Sequence, residues 1–137
     1  MRIVETPVRV RYAETDKMGV VYHAHYVVWF EVGRTEYCRE AGLPYRAMEE
    51  AGLLILVTGV ACTYRRPARY DDALTVRTSM PELGGRGLAF DYEIVRGASE
   101  VLADGSTRHV FADRDGRPRR APDDILEGMR RYRDSAP

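Results

Sequence analysis

Asp16, Gly19 and His23 lie within eight residues of one another, inside the stretch Tyr12–Tyr37 that reads YAETDKMGVVYHAHYVVWFEVGRTEY. Glu14 precedes them, and His25 opens a long apolar segment with helical spacing. The first turn of a helix leaves backbone N–H groups unpaired and carries partial positive charge, so it can hold an anion or a carbonyl oxygen that is becoming one. Gly19 lets the chain bend sharply into that start. A carboxylate about one turn ahead, Asp16, then faces the atom that the amides polarise, and this pairing suits acyl transfer. A plainer reading of Thr15-Asp16 before an apolar run is a helix cap without chemistry.

Placing these groups takes a strand before them and a helix after. Val4–Tyr12 alternates Val8, Val10 and Tyr12 against Arg9 and Arg11, the period of a half-buried strand, and Ala13–Val21 follows as a loop. Ala24–Ala41 reads as a helix with Tyr26, Val27, Phe30, Gly33, Tyr37, Cys38 and Ala41 on one face and Gly42 as its stop. Its first half, Val27-Val28-Trp29-Phe30, is apolar nearly all round, which predicts a helix wrapped by a sheet. Pro44–Ala51 predicts a short second helix ended by Gly52.

Four further strands are expected: Leu53–Tyr64, Leu74–Met80, Leu88–Val95 and Thr107–Ala112. Turns separate them at Tyr70-Asp71-Asp72, Gly84-Gly85, Gly97 and Arg114-Asp115-Gly116. Asp104-Gly105 fits either a turn or a bulge inside one long last strand. Pro122–Arg133 reads as an amphipathic helix with Ile125, Leu126 and Met129 inward. The order of strand, helix and four sequential strands argues for an α+β layout, an antiparallel sheet with helices on one side.

The chain of 137 residues, 45% hydrophobic, fits a single unit spanning 1–137 with its own core. Its 21 basic and 21 acidic residues balance, so no overall field argues for nucleic acid or an anionic membrane. Lys17 is the only lysine, and only clustered arginines bear on phosphate binding. Cys38 and Cys62 lack metal-ligand spacing and fit core thiols in a reducing compartment. The N-terminus has no apolar signal core, and no run approaches the roughly 20 apolar residues of a membrane span. A soluble cytoplasmic protein is the expectation.

Asp16, Gly19, Val20, Val21, Tyr22, His23 and Tyr26, continued by Glu31 and Arg34-Thr35-Glu36, resemble the signature of the 4-hydroxybenzoyl-CoA thioesterase group of hot-dog-fold acyl-CoA thioesterases. Arg66-Pro67-Ala68 with Tyr70-Asp71-Asp72 and Leu74, and Thr107–Asp113 with Gly116-Arg117-Pro118 and Pro122, extend the resemblance over nearly the whole chain. It implies a hot-dog fold, in which the sheet wraps the long helix, and favours the bulge at Asp104-Gly105. It further implies hydrolysis of an acyl-CoA thioester to a free acid and CoA, with no metal or organic cofactor. Asp16 would act as nucleophile or as general base on water, and the sequence does not separate these routes. The amides of Tyr22 and His23 would hold the oxyanion, the His23 ring could assist the leaving thiolate, and Gly19 and Val21 would border the substrate. Such proteins assemble as homodimers or homotetramers with sites at the subunit interface.

Tyr64 and the cluster Arg65, Arg66 and Arg69 are candidates for gripping the CoA phosphates, in competition with Arg86, Arg117, Arg119 and Arg120 and with an ordinary role as solvated charges. The His23-x-His25 spacing invites a metal reading, but at a helix start these side chains diverge, and neither Cys38 nor His109 has the spacing of a third ligand. Glu31 and Glu36 are expected to pair with Arg34 and Arg39 on the helix surface. Two other functions compete with acyl-CoA hydrolysis. One is another hot-dog enzyme, a hydratase or a thioesterase on acyl-carrier protein; the other is a silent acyl-CoA-binding module, which would have no use for a carboxylate facing a helix N-terminus.

Overall fold

The computed structural model describes residues 1–136; Pro137, the last residue of the expected single unit, lies outside them. The elements run β1 (Val4–Arg9), a 3-10 turn (Tyr12–Glu14), α1 (Ala24–Glu40), α2 (Tyr45–Glu50), β2 (Leu54–Tyr64), β3 (Ala73–Leu83), β4 (Gly87–Arg96), β5 (Glu100–Ala112) and α3 (Asp123–Asp134). The strands form one five-stranded sheet in the order β1-β3-β4-β5-β2, antiparallel throughout. Hairpins join β3, β4 and β5, whereas β2 has crossed to the far edge beside β5. The sheet wraps α1, which is the hot-dog arrangement.

Tyr26, Trp29, Phe30, Gly33, Tyr37 and Cys38 of α1 are buried against the sheet. Phe30 stacks on Tyr92 of β4 with ring centroids 4.3 Å apart, an aromatic pair worth about 1 kcal/mol beyond its buried area. The wrapping is less complete than the all-round apolar start of α1 predicts: Val28 and Val32 remain 48% and 38% exposed.

Two expectations need correction. The first strand stops at Arg9 rather than Tyr12, because the chain turns into the 3-10 segment and leaves Tyr12 on the surface. Asp104 and Gly105 do lie within one long last strand that carries a bulge, but the bulge is not at these two residues. Gly105 pairs regularly with Cys62 and Tyr92, and the bulge of this strand falls at Leu102, the extra residue between the pairs Ile94–Ala103 and Val95–Val101. Gly105 is needed for close approach: a Cβ there would collide with the Ala61 carbonyl and meet the Phe30 ring at 2.8 Å. Of the helix-surface pairs, Glu36–Arg39 forms and Glu31–Arg34 does not; Arg34 lies beside the Tyr92 and Tyr45 phenols instead.

Candidate active site

The residues after β1 form a closed turn. The Asp16 N–H donates to the Val20 carbonyl at 2.9 Å and Gly19 N–H to the Asp16 carbonyl at 3.0 Å, with Gly19 at φ +78°. That left-handed conformation is the one glycine adopts without strain. The Asp16 side chain closes the turn further, Oδ1 accepting the Met18 N–H at 2.8 Å. Among the described residues no donor reaches its Oδ2. Asp16 therefore does not cap α1, whose N-cap is His23 with no side-chain cap bond.

The β2–β3 connection fastens this turn to the helix. The buried Ala68 accepts the Val21 N–H at 2.9 Å through its carbonyl and donates its own N–H to the Tyr26 hydroxyl at 3.0 Å. The two main-chain groups of one residue thus link the Asp16 turn to α1. Arg96 in turn holds the connection, donating to Asp72 at 2.8 Å, to Glu100 at 2.8 Å and to the Pro67 carbonyl at 3.3 Å. Hydrogen bonding to Arg96 keeps the Glu100 carboxyl below the usual carboxylate range. On the other side Tyr64, at the end of β2, donates to the His23 carbonyl at 3.0 Å. Desolvation first, and then Cys62, push the Tyr64 phenol up to about 12, so it remains a donor at neutral pH.

The amides at the helix start are used differently from the expectation. The Tyr22 N–H donates to the Glu14 carbonyl at 2.9 Å and is spent in closing the loop. Among the described residues no acceptor takes the N–H of His23 or Ala24. The N–H groups left open at the helix start are therefore those of His23 and Ala24, one residue further along than the expected Tyr22 and His23.

Asp16, Val21, His23, Tyr64, Arg65 and Arg66 line one cleft of about 320 Å³, which the Tyr26 ring also borders. Gly19 shapes the turn without facing the cleft, the Tyr22 ring lies on the surface against His23, and Arg69 stands outside the lining. A larger hollow of about 530 Å³, lined by Thr63, Arg77, Asp91, Glu93 and Asp104 among others, does not include Asp16.

The arginine cluster divides. Arg65 pairs with Asp104, and Arg66 lies 3.3 Å from Glu100, while both main-chain N–H groups donate to the Leu102 carbonyl. Among the described residues the Arg69 guanidinium forms no ion pair, nor do Arg86, Arg117 and Arg119 at the opposite end of the sheet, while Arg120 lies 3.7 Å from Asp123. Sequence reasoning missed Ala24 and Arg96, and gave Ala68 only as part of the resemblance, without its tie between the turn and the helix. Ala24 and Ala68 act through peptide groups that leave no mark on side-chain identity, and Arg96 resembles any charge near a turn.

The thioesterase-like superfamily model matches residues 10–129. The chain is 36% identical over 115 residues to the putative acyl-CoA thioesterase YneP of Bacillus subtilis, covering 84% of this chain and 83% of that protein. It is 36% identical over 107 residues to the acyl-CoA thioester hydrolase YbgC of Escherichia coli, covering 78% and 80%. The crystal structure of a DHNA-CoA thioesterase from Staphylococcus aureus superposes with a TM-score of 0.91 at 32% identity, over 96% of this chain and 91% of that one.

Proposed function

The chain belongs to the thioesterase-like superfamily, and on that premise we propose that it cleaves an acyl-CoA thioester to a free acid and CoA, with the Asp16 carboxylate as nucleophile or general base. One observation supports this reading: Asp16, whose Oδ2 no donor among the described residues engages, and His23, at the helix start where the His23 and Ala24 amides are open, line a single cleft. In the nucleophilic route Asp16 bonds to the carbonyl carbon, the C–S bond breaks, and water then hydrolyses the mixed anhydride. In the general-base route Asp16 takes a proton from the water that attacks. In both, the two amides would take up charge on the carbonyl oxygen, and the thiolate would leave with a proton from the ring of His23, which lines the cleft.

Gripping the CoA phosphates falls to arginines that no carboxylate already holds. Arg69 meets that condition near the cleft. The direct test follows free thiol released from an acyl-CoA panel and from the matching acyl-N-acetylcysteamine thioesters. Release from both classes is expected. Arg69→Glu should raise KM for acyl-CoA roughly tenfold, the scale of one charge-assisted contact, and leave the truncated substrate unchanged. No thiol release from any substrate overturns the activity, and equal loss on both substrates overturns the phosphate role.

We also propose at least a homodimer, and pairing of dimers into a tetramer. β2 is an edge strand with Leu56, Val57 and Val60 exposed at 37%, 45% and 48%. A long apolar edge with unpaired backbone groups is a template for another strand. A two-fold axis near the middle of β2 would run two copies antiparallel and bring the Arg86, Arg117 and Arg119 end of one protomer beside the Asp16 turn of the other. Val28 and Val32 offer a further apolar surface. Light scattering is expected to show a dimer or larger, and a stable, fully active monomer would remove the shared site.

A further inference from the structure

A carboxylate buried beside the site takes no part in the chemistry above. Glu14 is 3% exposed. Its Oε2 accepts the Trp29 indole N–H of α1 at 3.2 Å, and its Oε1 accepts the Arg11 main-chain N–H at 2.8 Å. The guanidinium of Arg11 lies 3.6 Å away on a side chain that is 72% exposed, so it screens this charge weakly. Its carbonyl accepts the Tyr22 N–H at 2.9 Å. A buried carboxylate is costly unless its lone pairs are satisfied. An apolar residue could fill the same space, so the chemistry of these bonds, rather than packing, accounts for the acid.

Glu14 stands two residues before Asp16. Its side chain reaches into α1, and its main chain holds the residue just ahead of the His23 N-cap. Glu14 is therefore a second tie between the Asp16 turn and the amide-bearing helix start, beside the one through Ala68. We propose that Glu14 is a positioning residue for the thioester cleavage, setting the separation between the Asp16 carboxylate and the His23 and Ala24 amides; this rests on the reading of Asp16 as the catalytic carboxylate. An ionised carboxylate only accepts, so it serves the Trp29 and Arg11 N–H groups together. Glutamine has one accepting oxygen and one donating nitrogen, which leaves one of those N–H groups facing another.

The test measures kcat and KM by CoA release, together with melting temperature and assembly state, for Glu14→Gln, Trp29→Phe and the double variant of the full chain. Both single variants are expected to lower kcat about tenfold to a hundredfold with KM within about twofold, since a shift of about 1 Å in a reacting group has that effect. The double variant should be no slower than the slower single variant, as for two ends of one link. Trp29→Phe deletes a single donor and keeps the test open if Glu14→Gln fails to fold. Wild-type kcat in a folded single variant, with only the melting temperature lowered, overturns the assignment and makes Glu14 merely structural. Asp16→Asn, measured alongside, separates the two levels. Wild-type kcat there removes the premise, whereas an inactive Asp16→Asn with wild-type kcat in Glu14→Gln and Trp29→Phe removes the Glu14 role alone.

Discussion

Replacing Asp16 with Asn is expected to lower kcat at least about a hundredfold, the scale for losing a nucleophile or general base, with acyl-CoA binding retained. The substitution is close to isosteric, and the amide oxygen of Asn can still accept the Met18 N–H that closes the turn. Stability should therefore change by less than roughly 1 kcal/mol. What disappears is the negative charge on the second oxygen, which no protein donor engages among the described residues. The measurement is single-turnover CoA release beside a thermal melt. A near-normal kcat in folded, assembled Asp16→Asn would return Asp16 to the role of a turn-former.

Acidification is expected to destabilise the fold through His109. This ring is 3% exposed; Nε2 lies 2.7 Å from the Thr107 hydroxyl, which lies 2.6 Å from the Tyr92 hydroxyl. The Phe90 ring meets it edge-on, and Nδ1 has no partner among the described residues. Burial, and then the Arg34 charge, push the imidazole down from 6.5 to about 4. A folded value below the unfolded one means that the unfolded chain takes up a proton that the native chain refuses. Above pH 6.5 both states are neutral and His109 contributes no slope. Between pH 6.5 and about 4, stability falls with falling pH, by about 1.4 kcal/mol per unit and up to about 3 kcal/mol in all. Urea unfolding midpoints measured across this range should slope accordingly, and His109→Gln should flatten the slope. An unchanged slope in His109→Gln would assign the acid sensitivity to other groups.

Most elements were legible because their signals are local. The alternation of β1, the buried face of α1, the glycine stops at Gly42 and Gly52 and the turn at Gly97 all depend on neighbours a few residues away. The Asp16–Gly19 turn is of the same kind, since every bond that closes it lies within five residues. Local pattern also set the limits of the reading. Alternation carried β1 on to Tyr12 because the pattern cannot register that Arg11 and Glu14 cap a 3-10 turn. Gly105 suggested a bulge because its true cause, the Phe30 ring and the Ala61 carbonyl, lies on other elements.

From its sequence alone the chain carries the identity of the proposed reacting groups: a carboxylate, a glycine turn and a helix start at fixed spacing. Tertiary structure decided which of them are free to react. The Tyr22 amide is lost to the Glu14 carbonyl, and Arg65 and Arg66 are taken by Asp104 and Glu100. Ala68, more than 40 residues from the Asp16 turn along the chain, supplies through its N–H and its carbonyl the link between that turn and Tyr26. A hydrogen-bonding group can be spent only once, and its partner is chosen by proximity in the folded chain. Residue type states what a group can donate or accept; only the fold determines whether another residue has already claimed it.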